Sequence, residues 1–218
     1  MRASSDDPHG GQPVLHRGAL LDSAKGAALL LHGRGAPAED ILGLADEFDL
    51  PDFAYFAPQA AGNTWYPNSF LAPTNQNQPW LDSALNLVGT VLERIFAAGL
   101  DRRRVALVGF SQGACLATEF VARRAHRYGA LIAFTGGLIG PPGTKFSYSG
   151  DLAGTPCFLG AGDPDTHVPW KRVEESASML TALGGAVTSR RYSGLGHTIN
   201  RDEITEGRRL LSRLRSLT

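Results

Sequence analysis

The stretch VALVGFSQGACLATEF, Val105 to Phe120, changes character in its middle. Its opening residues are apolar without alternation, as a strand covered on both faces requires. From Ser111 to about residue 126 the pattern becomes that of a helix. Between the two lies Gly109-Phe110-Ser111-Gln112-Gly113. A serine between glycines at a sharp strand-to-helix turn is held in a strained backbone, with its Oγ exposed at the sheet edge and no neighbouring side chains to collide. The helix that follows points the positive end of its dipole at that oxygen. A turn using its glycines for sterics alone could share these five residues, but the strand before and the helix after favour a nucleophile.

The same alternation extends in both directions. Apolar runs at 27–31, 53–57, 130–134, 156–159 and 187–192 read as further strands, and 14–21 as an edge hairpin. Ile41, Leu44, Ala45 and Phe48 fall on one helical face, so 39–49 reads as one amphipathic helix. Leu81, Leu85, Val88, Leu92 and Ile95 mark a longer helix opened by Pro79 and ended near Gly99. Val173, Ala177 and Leu180 mark another that stops at Gly184-Gly185, and Ile204, Leu211 and Leu214 a last one. Strand and helix taking turns imply the α/β class, a mostly parallel central sheet with helices on both faces. Two stretches stand apart: 135–155, without a helical stripe, and 60–78, which is irregular. Each follows a strand, so each should emerge at the carboxyl edge, where open α/β sheets place ligands.

Composition narrows the function classes. A chain of 218 residues suits one domain, expected over 13–218 behind a flexible polar segment at 1–12. Lys plus Arg and Asp plus Glu balance at 21 each, which leaves no global field to draw nucleic acid or an anionic membrane. The expected partner is a small molecule. The start lacks the apolar core of a signal peptide, and no run approaches the roughly 18 apolar residues of a membrane span, so a cytoplasmic protein without membrane insertion is expected. Cys115 and Cys157 sit in apolar runs, as buried free thiols do.

A serine hydroxyl needs a histidine base, and the histidine needs an acid to fix its tautomer. The expected order at a nucleophile elbow is serine, acid, histidine. Gly162-Asp163-Pro164-Asp165 follows the fifth core strand and Gly194-Leu195-Gly196-His197 the sixth. His197 is the expected base; of the other five histidines, His9 and His16 lie in or near the loose start, His126 among arginines, His167 before the last strand, and His32 reads as structural. Asp163 and Asp165 are two apart, and spacing cannot choose between them; the other should accept backbone hydrogen bonds in its own turn. His32-Gly33-Arg34-Gly35 follows the first core strand, where an oxyanion donor is expected, so the backbone N–H groups of Arg34 and Gln112 are assigned that role. The Arg34 side chain either approaches the substrate or is solvated. Trp65, Tyr66, Phe70 and Leu71 in one irregular stretch, and Leu138 and Ile139 in the other, are candidates for an apolar pocket wall. The histidines are too scattered for zinc, and no glycine run opens a helix as G-x-G-x-x-G, so neither metal nor cofactor is expected.

With LHGRG (Leu31 to Gly35), GFSQGA (Gly109 to Ala114), GDPDTHVP (Gly162 to Pro169) and GLGH (Gly194 to His197) in hand, the chain resembles the phospholipase/carboxylesterase family from about Lys25 onward. The resemblance implies the α/β-hydrolase fold and, because the family's acid stands just before x-x-Val-Pro, it selects Asp165. Thioesterase members usually carry two glycines after Ser-Gln, whereas Ala114 follows Gly113 here; GNTWYPNSFLAP, Gly62 to Pro73, is similar to a bacterial carboxylesterase branch. The implied activity is hydrolysis of small or medium acyl or aryl esters. Alternatives are an acyl-protein or acyl-lipid thioesterase or lysophospholipase, a lyase-like or perhydrolytic use of the triad, and a ligand-binding protein on a hydrolase scaffold. The resemblance also allows a homodimer.

Overall fold

The computed structural model describes residues 7–216. Seven strands, β1 (Val14–Gly18), β2 (Gly26–Leu31), β3 (Phe53–Pro58), β4 (Val105–Phe110), β5 (Ala130–Phe134), β6 (Pro156–Asp163) and β7 (Ala186–Ser193), form one sheet in the order β1-β3-β2-β4-β5-β6-β7. All neighbours are parallel except β1, which runs antiparallel along β3. The helices are α1 (Ala38–Leu42), α2 (Leu44–Phe48), α3 (Trp80–Ala97), α4 (Gln112–Arg123), α5 (Trp170–Ala182) and α6 (Arg201–Leu214).

Side chains alternate across a strand, so each apolar strand feeds two cores. Leu29, Leu31, Val105 and Leu107 pack with α3, α4 and α5 on one face. Ala28, Leu30, Ala106 and Val108 pack with α1, α2 and the Leu210, Leu211 and Leu214 stripe of α6 on the other. This double burial is why the central strands read as continuous apolar runs. As expected, no helix lies between β5 and β6. Among the described residues no helix is long and apolar enough to cross a membrane.

Three expectations need correction. The segment 39–49 is two short helices separated at Gly43, whose N–H is shared between the carbonyls of Glu39 and Asp40 at 3.2 Å each. Gly43 keeps a right-handed conformation, φ −58° and ψ −24°, so Ile41, Leu44, Ala45 and Phe48 still face the same core. The segment 14–21 supplies a single edge strand, not a hairpin: after Gly18 the Ala19 N–H bonds to the Phe53 carbonyl and the chain leaves for the middle of the sheet.

The third concerns the start of the chain. Residues 1–6 lie outside the described residues, but from Asp7 on the expected loose segment packs against the domain. His9 is fully buried: its Nε2–H donates to the Trp65 carbonyl at 3.0 Å and its Nδ1 accepts the Ala61 N–H at 3.1 Å. Its own N–H donates to Ser83 Oγ, which donates in turn to Asp7. A polar residue satisfied on every side can be buried, and hydropathy alone does not reveal this.

Burial holds the His9 pKa below its ordinary 6.5, against the opposing effect of the Trp65 carbonyl. The unfolded chain therefore binds this proton more readily, and the stability that neutral His9 contributes is present above 6.5 and lost as pH falls below it. His9→Ala, which leaves Trp65 O and Ala61 N–H unpaired, should cost about 1–3 kcal/mol in urea denaturation near neutral pH. The gap between wild type and variant should narrow as the pH is lowered; a gap independent of pH would refute the buried neutral imidazole.

Candidate active site

The elbow after β4 is built from backbone contacts that only glycine permits. A Cβ on Gly109 would lie 2.4 Å from the Gly113 carbonyl, and one on Gly113 would press on the Leu31 carbonyl and lie 2.6 Å from the His32 oxygen. Ser111 sits between them with φ 55° and ψ −118°, outside the conformations a side-chain-bearing residue normally adopts. Its N–H bonds to the Phe134 carbonyl on β5 at 3.0 Å, and its carbonyl starts α4 by accepting the Cys115 N–H at 2.9 Å. Ser111 is therefore fixed by two strands and a helix.

β6 and β7 run side by side to their last residues, Asp163 opposite Ser193, and release the two loops that follow at one place. His197 Nε2 stands 2.8 Å from Ser111 Oγ, and its Nδ1 stands 2.8 Å from Asp165 Oδ2. The other oxygen of Asp165, Oδ1, accepts the N–H groups of His167 and Val168 at 2.7 and 2.8 Å. Burial opposes ionisation of Asp165, but the donors from Val168, His167 and His197 together outweigh it and hold the carboxyl below its ordinary value. An ionised acid takes the Nδ1–H of His197, which leaves Nε2 as the acceptor for the serine proton.

Asp163 is elsewhere engaged: it receives the Arg191 guanidinium of β7, with Nε at 2.6 Å. The expectation that the second aspartate would bind backbone in its own turn is thus reversed, because Asp165 does both. His32 is structural as expected. It is fully buried, donates from Nδ1 to the Gly33 carbonyl at 2.8 Å and accepts the Ala60 N–H at Nε2 at 3.1 Å, while burial lowers its pKa.

The loop 32–36 lies beside the nucleophile; a Cβ on Gly33 would be 3.6 Å from the Cβ of Ser111. In that loop Gly35 N–H bonds to the Asn63 carbonyl and Ala36 N–H to the Gly33 carbonyl. The N–H groups of Arg34 and Gln112 have no acceptor among the described residues. The Arg34 side chain is neither loosely solvated nor free: it donates to the carbonyls of Pro67 at 2.6 Å, Tyr66 at 3.0 Å and Asn68 at 2.5 Å. Gln112 binds the same loop, giving its amide N–H to the Tyr66 carbonyl at 2.8 Å and accepting the Trp65 N–H at 2.8 Å.

Ser111 opens onto a cleft of about 370 Å³, lined by Arg34, Tyr66, Pro67, Asn68, Ser69, Phe70, Gln112, Cys115, His167, Val168 and His197. Of the expected wall residues only Tyr66 and Phe70 are there. Trp65 is buried in the core behind the cleft, its indole N–H on the His32 carbonyl at 2.9 Å, and Leu71 is not at the lining. Leu138 and Ile139 are also buried away from the cleft, their N–H groups held by Ser176 and Glu119. The 60–78 stretch reaches the cleft and 135–155 contributes nothing to its lining; apolar character marks the residues that anchor these stretches, while polar Asn68 and Ser69 line the opening. His167 and Val168 were missed, although standing next to the acid placed them there. Burial pushes the Cys115 thiol up to about 12, so its reactive thiolate form is disfavoured.

A model of the phospholipase/carboxylesterase family matches residues 21–213. The structure of a phospholipase/carboxylesterase from Dyadobacter fermentans DSM 18053 superposes with a TM-score of 0.89 at 44% identity, over 97% of this chain and 99% of that one. A Bacillus cereus carboxylesterase has the same fold, with a TM-score of 0.77 at 19% identity over 94% and 95% of the two chains. Acyl-protein thioesterase 1 of Eremothecium gossypii is 29% identical over 151 residues, 66% of this chain and 61% of that protein's own length.

The close contact at the elbow separates two glycine substitutions. Gly113→Ala should destabilise by more than about 3 kcal/mol, beyond the usual range for overpacking, because the obstacle is backbone. Gly196→Ala, beside the histidine but with nothing within 4 Å, should stay within about 0.5 kcal/mol. Urea midpoints decide, and similar values for the two would contradict the packing described.

Proposed function

The chain belongs to the phospholipase/carboxylesterase family of hydrolases, and from that premise we propose that it is a serine carboxylesterase in which Ser111, His197 and Asp165 form the triad. The observation that supports this reading is the hydrogen-bonded line from Asp165 Oδ2 through His197 to Ser111 Oγ, 2.8 Å at each step. His197 Nε2 takes the hydroxyl proton as Ser111 Oγ attacks the ester carbonyl, and the imidazolium so formed is stabilised by Asp165. The tetrahedral oxyanion is received by the N–H groups of Arg34 and Gln112. Collapse of the intermediate expels the alcohol, which takes the proton back from His197 and leaves an acyl-enzyme on Ser111. Water, deprotonated by His197, then releases the acid and restores the serine.

The cleft lies near the low end of the roughly 300–1,000 Å³ usual for small-molecule sites, which fits a short or medium acyl group. The Eremothecium gossypii relative, an acyl-protein thioesterase, favours a second reading, an acyl-protein or acyl-lipid thioesterase or lysophospholipase. A series of p-nitrophenyl esters from acetate to decanoate separates the two by its optimum.

Ser111→Ala should lower turnover by about 10⁴ or more and abolish fluorophosphonate labelling. Asp165→Asn should lose about 10⁴, because the wrong histidine tautomer is then favoured. Asp163→Asn, which breaks only an exposed ion pair, should stay within about threefold of wild type. Equal activity of wild type and Ser111→Ala would overturn the proposal, and the loss appearing in Asp163→Asn instead would overturn the choice of acid.

A further inference from the structure

Two side chains of the cleft have no part in the acyl-transfer steps. Arg34 is exposed at the rim and held rigid by the carbonyls of Tyr66, Pro67 and Asn68, yet no carboxylate pairs with it among the described residues. Some arginines elsewhere on the surface do find one, as Arg17 does in Asp46, Arg191 in Asp163 and Arg208 in Asp49, and others among the described residues do not; what sets Arg34 apart is that three carbonyls hold it at the mouth of the cleft. A guanidinium carries five N–H donors, and three bonds to carbonyls leave two for another acceptor.

His167 is also exposed and stands edge-on to His197, with ring centroids 4.7 Å apart. Its position is set from behind, because its backbone N–H is held by Asp165 Oδ1. No aspartate or glutamate is among the residues lining the cleft, and the nearby Asp165 side chain is fully buried and engaged by His197. The opening therefore presents a fixed cation, a second group able to carry positive charge, and no anion. A cation immobilised without a counterion loses little further freedom on meeting one, which is what makes a binding group preorganised. Guanidinium with carboxylate is the strong, directional form of such a pair.

We infer that the ester taken by this site carries a carboxylate, held by the Arg34 guanidinium and the His167 imidazole while Ser111 attacks the ester carbonyl. This rests on the serine-esterase reading and adds the substrate class to it.

The test compares kcat/KM for charged and uncharged partners: monomethyl glutarate against dimethyl glutarate, and acetoxyacetate against its methyl ester. The first pair places the carboxylate on the acyl side and the second on the alcohol side. At least one charged ester should be preferred by about tenfold or more, with the preference shrinking as salt is added. Because Arg34 also ties down the loop, the readout is the charged-to-neutral ratio and not the absolute rate. The ratio should fall about tenfold in Arg34→Gln, fall less in Arg34→Lys, which keeps a point charge, and fall also in His167→Gln, which ties nothing down. Hydrolysis of the neutral esters with Ser111 labelled by fluorophosphonate but no preference for either charged ester would overturn the carboxylate assignment alone. So would a preference that both Gln variants retain. No turnover of any of the four esters together with an unlabelled Ser111 would overturn the esterase reading itself.

Discussion

The approach of the Gly113 backbone to that of Leu31 and His32 is the constraint from which the rest of the site follows. It brings the first turn of α4 onto the carboxyl end of β2 without an intervening side chain. The loop that follows β2 is thereby brought beside Ser111, close enough that a Cβ on Gly33 would lie 3.6 Å from the serine Cβ. The positive φ of Ser111 is the conformational cost of the turn, and it is held by β5, which takes the serine N–H, and by α4, whose Cys115 N–H takes the serine carbonyl. A sheet paired along its length supplies the rigidity that a strained residue needs, and Ser111 stands directly at the end of such a paired strand.

The wall opposite has no regular structure, so its backbone groups must find partners one by one. The Tyr66 carbonyl accepts from the hydroxyl of Thr64, the guanidinium of Arg34 and the amide of Gln112. Arg34 and Gln112 thus hold the wall with their side chains. The loop carrying Arg34, the start of α4 and the wall are joined by hydrogen bonds, and residues 65–68 are held in part by the side chains of Arg34 and Gln112.

How much of this could be read in advance depends on the kind of signal. The six core strands follow from local pattern, as does the chain order of Ser111, the 163/165 aspartate pair and His197, and residues 105–113 contain the strand, the turn, its glycines and Ser111 together. What escaped depends on partners distant in sequence. His9 is buried because Trp65, Ala61 and Ser83 satisfy it, and none of these is its neighbour in the chain. Trp65 looked like a ligand contact because it is large and apolar, yet those properties drew it beneath the loop and left Asn68 and Ser69 outside. Periodicity set the face of the 38–48 helical segment correctly, but it carries no information on continuity, and Gly43 divides it.

The choice between two aspartates two residues apart shows the same boundary at the scale of single atoms. Asp163 is the last residue of β6, and its side chain meets Arg191 on the adjacent strand, so its charge is neutralised across the sheet edge. Asp165 lies in the turn beyond, where the chain curls so that the N–H groups of His167 and Val168 converge on one of its oxygens. With Oδ1 occupied, Oδ2 is aimed at His197, and the carboxyl stays ionised despite its burial because three donors favour the anion. Spacing could not distinguish the two residues. Their surroundings distinguish them: the turn supplies backbone donors to Asp165, and the adjacent strand β7 supplies an arginine to Asp163. With one oxygen held by backbone, the other oxygen of Asp165 has a fixed direction toward His197, and Asp163, committed to Arg191, has no such contact.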